Sequence, residues 1–80
     1  MDEQEIYIQI TPVFQEVFDE DDLVPTPELT AHDVEEWDSL SHIRLICAVE
    51  EQFDIRFTSA EVGALKNVGD FVSLIQSKSR

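Results

Sequence analysis

The first 38 residues contain no lysine and no arginine, and the whole 80-residue chain has five such residues against 18 aspartates and glutamates. The formal net charge is −13. Holding a nucleic-acid backbone needs cations that displace counterions, so nucleic acid is excluded as a direct ligand. An anionic membrane surface is excluded on the same ground. Long apolar runs are missing too: nothing approaches the roughly 20 residues that span a bilayer. The acidic start, Met1-Asp2-Glu3, is the reverse of a secretory signal. One cysteine, Cys47, has no partner for an intramolecular disulfide, which points to the reducing cytoplasm. What remains is a small acidic domain spanning residues 1–80, whose charge favours a monomer. Area scaling lets such a chain bury only about 60–65% of its unfolded surface, so its core is small.

Catalytic and metal signatures are also missing. Asp19-Glu20-Asp21-Asp22 suggests a calcium loop, but Val24 stands where its glycine belongs and Thr30 where its glutamate belongs. His32, His42 and Cys47 lack zinc-ligand spacing. There is no G-x-S-x-G, no glycine-rich phosphate loop and no H-E-x-x-H. Ser39 and His42 stand three apart with no orienting acid or oxyanion donor, and His42 falls toward the core side of its helix. The chain is not read as an enzyme, and no metal site is assigned.

The apolar pattern predicts an all-α fold, a small four-helix bundle with a long first loop and one short helix. Ile6, Ile10, Val13 and Val17, with Tyr7 and Phe14 beside them, form a stripe on one first helix that bends at Pro12. Residues 19–38 read as loop, with a short helical turn near Thr30–Val34. Asp38 is the N-cap of a helix from Ser39 to Phe53. Thr58-Ser59-Ala60-Glu61 is a capping box opening a short helix to about Leu65. Asn67 caps a last helix with Val68, Phe71, Val72 and Ile75 on one stripe.

The segment with most information is Glu36-Trp37-Asp38-Ser39-Leu40 and the helix it opens. Leu45, Ile46, Val49 and Phe53 make the expected core face. Leu40, Ile43 and Cys47 make a second apolar stripe on the side of Ser39, edged by Arg44, Glu50 and Glu51. Either both stripes are buried between neighbouring helices, or the second is an exposed patch around a serine that something else must reach. The free N–H groups and positive dipole end of a helix start favour an anion, so a serine there can bear a phosphodiester without burying uncompensated charge. Trp37 covers the core beside the loop or discriminates partners, and Cys47 reads as a small, semi-buried apolar residue.

Asp38-Ser39-Leu40, Ile43, Leu45, the run Ala48-Val49-Glu50-Glu51-Gln52-Phe53 and the late Asn67-Val68-Gly69-Asp70-Phe71 together resemble an acyl carrier protein. The resemblance covers essentially the whole chain in length, acidity and helix order. It implies that Ser39 is the attachment point of 4′-phosphopantetheine, taken from coenzyme A by a separate phosphopantetheinyl transferase. It implies a thioester carrier of acyl or aminoacyl groups, with Asp38 as cap and positioning group. Leu40, Ile43, Arg44, Cys47, Glu50, Glu51 and Trp37 would then meet loading and processing enzymes with basic surfaces. Two departures stand out: Glu36 occupies a place where a glycine is usual, and Ser41, His42 and Arg44 occupy usually acidic places. Both favour a specialised pathway (polyketide, peptide-like or cell-surface glycolipid) over general fatty-acid synthesis. The rival from another class is an unmodified acidic adaptor that docks a basic protein surface or mimics nucleic acid. A weaker third is a calcium-responsive module at residues 19–22.

Overall fold

A computed structural model describes residues 2–79. Helix α1 runs Glu3–Phe18, a 3-10 turn occupies Ala31–Asp33, and helices α2 (Ser39–Phe53), α3 (Ser59–Gly63) and α4 (Val68–Lys78) follow. No strand occurs among the described residues. The all-α expectation is met, including both boundaries of α2. The short helix stops at Gly63 rather than near Leu65.

Each helix starts where a short polar side chain can take a free N–H of the first turn. Asp2 accepts from the Glu5 N–H at 2.8 Å, Asp38 from Ser41 at 2.8 Å, Thr58 from Glu61 at 3.1 Å and Asn67 from Asp70 at 2.8 Å. Glu61 returns the Thr58 bond at 2.8 Å, completing the capping box. At their C-terminal ends α1 and α2 both stop on an aspartate in the left-handed region, Asp19 at φ 53° and Asp54 at φ 55°. Glycine is the usual residue there because it has no Cβ to clash.

Helix α1 is a single helix through Pro12. Proline removes the donor that the Ile8 carbonyl would have used, but both residues lie on the exposed side of α1. The Thr11 hydroxyl donates to the Tyr7 carbonyl at 2.7 Å one step earlier.

The stripe that reaches the centre of the core differs from the expected one. Ile6, Ile10, Phe14 and Phe18 are fully buried, whereas Val13 and Val17 are only half-buried at its edge. Helix α1 packs against both α2 and α4, and the Phe stripe points between them. Leu45 and Val49 from α2 and Val68, Phe71, Val72 and Ile75 from α4 complete that centre. Truncating Phe14 to alanine is therefore expected to cost about 3–5 kcal/mol, against a total of roughly 0.05–0.15 kcal/mol per residue for a natural domain. Val13→Ala should cost less than half as much. Urea midpoints followed by far-UV circular dichroism would distinguish the two stripes.

Candidate functional site

The site is built at the junction of the long loop and α2. That loop has little regular structure, yet it is held at several points. The Gln15 amide donates to the Leu23 carbonyl at 3.1 Å. Two N–H groups at the start of α4 are bonded to loop carbonyls, Val68 to Leu29 at 2.9 Å and Gly69 to Pro27 at 3.0 Å. Asp33 accepts from both the N–H and the hydroxyl of Thr30, at 3.0 and 3.1 Å, closing the 3-10 turn. Val34 is buried, and the Trp37 N–H donates to its carbonyl at 3.1 Å.

Trp37 turns inward. Its indole meets Phe14 edge-on at 5.7 Å between centroids and Phe18 at 5.1 Å. The indole Nε1–H donates to His42 Nδ1 at 3.1 Å, and the two rings stack at 26°. His42 is thus a half-buried histidine with one ring nitrogen already occupied as an acceptor, which agrees with its expected core-side position. Trp37 does cover the core beside the loop, and part of it remains exposed beside Ser39.

Asp38 then leaves the loop in an extended conformation and caps α2. The Ser41 N–H bonded to its carboxylate holds that carboxyl below the usual aspartate range. Ser39 is the first residue of α2, and its side chain is exposed with no hydrogen bond in the structure. A hydroxyl placed so is open to modification, and an anion attached to it would sit at the positive end of a 15-residue helix.

Of the two apolar stripes on α2, one is core and the other faces solvent. Leu45, Ile46 and Val49 are buried and Phe53 half-buried. Leu40 is 67% exposed and Ile43 59%. Cys47 is exposed as well, not semi-buried as its apolar neighbourhood suggests, because α1 packs on the other side of α2. Arg44 and Glu51 are exposed at the edge of this patch. Glu50 is half-buried, and its carboxylate accepts from the Phe57 N–H at 2.8 Å. That bond ties the segment after α2 back onto the helix. No sequence signal announces it, since residues 50 and 57 belong to different elements.

In the acidic stretch before the site, the Glu20 carboxyl stands beside that of Glu36. The Glu20 carboxyl is held above the ordinary glutamate range, first by a hydrogen bond shared with Glu36 and then by Glu36's charge. Among the described residues no group of three or more His, Cys, Asp or Glu side chains is arranged to hold a metal ion. Among them, too, no helix is long and apolar enough to cross a membrane.

No protein-family model and no curated protein matches the chain. Among solved structures, it is similar to the solution NMR structure of a holo acyl carrier protein from Geobacter metallireducens. The two share 46% sequence identity with a TM-score of 0.83, over 86% of this chain and 79% of that one.

The raised Glu20 value has a definite sign. The folded protein holds that proton more tightly than the unfolded chain, so the contribution is full below the ordinary glutamate value and lost as pH rises through the folded one. Glu20→Gln is expected to raise Tm at neutral pH. Its advantage over wild type should shrink as the solution is acidified through the glutamate range, measured by calorimetry at several pH values.

Proposed function

The chain belongs to the acyl carrier protein family, and from that premise we propose that it carries 4′-phosphopantetheine on Ser39. The observation that carries the assignment is the serine itself: an exposed, unbonded hydroxyl at the first position of α2, beside a solvent-facing apolar patch. The residues present suit such an arm. The dipole end of α2 favours its phosphodiester, and Asp38 is committed to the Ser41 N–H, which fixes the helix start that presents Ser39. Bound there, the arm supplies a terminal thiol that holds an acyl or aminoacyl group as a thioester.

The chain's own part is presentation rather than catalysis. His42, the base nearest in sequence, has its Nδ1 engaged by Trp37, and the transfer of the arm from coenzyme A belongs to a phosphopantetheinyl transferase. Leu40, Ile43 and Cys47 offer apolar contact to that transferase and to loading and processing enzymes in the cytoplasm, with Arg44 and Glu51 at the rim. Glu50 takes part less than its charge suggests, because its carboxylate already serves Phe57. The mixed charge of this rim supports a dedicated carrier for a specialised pathway.

Incubating the purified protein with coenzyme A, magnesium and a promiscuous phosphopantetheinyl transferase should add one arm, read by intact mass and mapped to Ser39. Ser39→Ala should abolish the gain while changing stability by no more than about 0.5 kcal/mol, the usual range for a surface substitution. A folded protein that gains no mass, beside a control carrier that does, would favour the unmodified acidic adaptor. An arm added to Ser39→Ala would place it elsewhere.

A further inference from the structure

His42 stands three residues after Ser39 on α2, and the two line one surface groove with Ala31, Trp37, Asp38 and Ile43. Side chains three apart on a helix have Cβ atoms about 5–6 Å apart. A long helical side chain also leans back over the turn before it, so the imidazole lies toward Ser39. At about 100° per residue, Leu40, Ile43 and Cys47 fall on the opposite side of Ser39 around the helix axis.

The tautomer of His42 is set by its neighbour in the loop. The indole N–H of Trp37 donates to Nδ1 at 3.1 Å, so in the neutral ring the proton sits on Nε2. Phe14 and Phe18 hold the indole from the core, and the Trp37 backbone N–H is tied to the Val34 carbonyl, so this donor is fixed in place. The rest of the groove has little to donate. Trp37 has spent its N–H on His42, the Asp38 carboxylate only accepts, and Ala31 and Ile43 carry no polar side-chain atom. Once Ser39 is esterified, Nε2–H of His42 is the one side-chain donor left among the described residues that line the groove.

Resting on the carrier reading above, we propose that His42 is a positioning residue for the root of the arm: its Nε2–H donates to a non-ester oxygen of the phosphodiester on Ser39, and Trp37 fixes the tautomer that makes this possible. The contact turns the root of the arm toward the Trp37 side of α2 and leaves Leu40, Ile43 and Cys47 uncovered for partner enzymes. Protonating the ring strengthens its attraction to the anion and releases the Trp37 bond, because Nδ1 then carries a proton as well. The other charged groups facing His42 are Asp38 at the start of α2 and Lys66 in the segment before α4. Both are present with and without the arm, so a comparison of variants isolates the phosphodiester.

The test uses protein loaded with the arm by a phosphopantetheinyl transferase, confirmed by intact mass, and reads the phosphorus NMR signal of the phosphodiester. That group has no proton of its own to lose between about pH 5 and 8, the range in which histidine changes charge. In wild type the signal is expected to move across this range. In His42→Gln, which keeps an N–H donor but does not titrate, it should stay near the position that wild type shows at the alkaline end. His42→Phe has no donor, so the signal should be displaced from that position and flat with pH. His32→Gln removes the other histidine and should reproduce the wild-type profile. Nitrogen NMR of the neutral His42 ring should find the proton on Nε2 in wild type and shared between the two nitrogens in Trp37→Phe. Equal pH profiles in wild type and folded His42→Gln would overturn the contact and leave the carrier reading intact. So would a neutral wild-type ring protonated on Nδ1, or a phosphorus signal that His42→Phe leaves unchanged. No mass gain in the transferase reaction would overturn the carrier reading and the contact with it.

Discussion

Two backbone hydrogen bonds bear the arrangement of the site: Val68 to Leu29 and Gly69 to Pro27. The first turn of any helix has N–H groups that its own carbonyls cannot satisfy. Here α4 hands two of them to a loop that has few regular bonds of its own. One unsatisfied set thereby meets another, and a stretch of about twenty residues, unusual inside a compact domain, acquires a fixed path. Gly69 makes the approach close: a Cβ there would stand 3.2 Å from the Pro27 carbonyl oxygen. Downstream of this clamp lie Val34, Trp37 and Asp38, so the placement of Ser39 depends on α4 although the two are far apart in sequence.

Elements whose cause is local were legible in the sequence. Asp38 and the apolar spacing after it define α2 to both ends, and Thr58 with Glu61 announces α3. Asn67 and the stripe of Val68, Phe71, Val72 and Ile75 give the start and the buried face of α4. In α1 the spacing favoured Ile6, Ile10, Val13 and Val17, and only the docking directions of α2 and α4 carry the buried line through Phe14 and Phe18 instead. The second stripe on α2 was visible as a pattern, whereas its exposure depended on no other helix covering it.

What the sequence hid were contacts between elements. The Trp37–His42 bond joins a loop residue to a helix residue five positions on, a spacing that belongs to no regular period. Glu50 counts as a surface charge until the segment after α2 folds back and presents the Phe57 N–H. The α4–loop clamp consists of main-chain groups, which leave no side-chain signature except the small residue at Gly69.

The charge layout separates the acidic field of the molecule from the apolar patch beside Ser39. The excess of acid lies wholly before Ser39. On the exposed patch of α2, Arg44 and Glu51 balance each other, and Glu50 is turned to internal use. The long-range field therefore comes from one part of the molecule, and the exposed patch beside Ser39 is nearly neutral and apolar. Added salt screens the first over about 10 Å and scarcely touches the second. Salt therefore changes the far field of the molecule while the apolar surface beside Ser39 keeps its character.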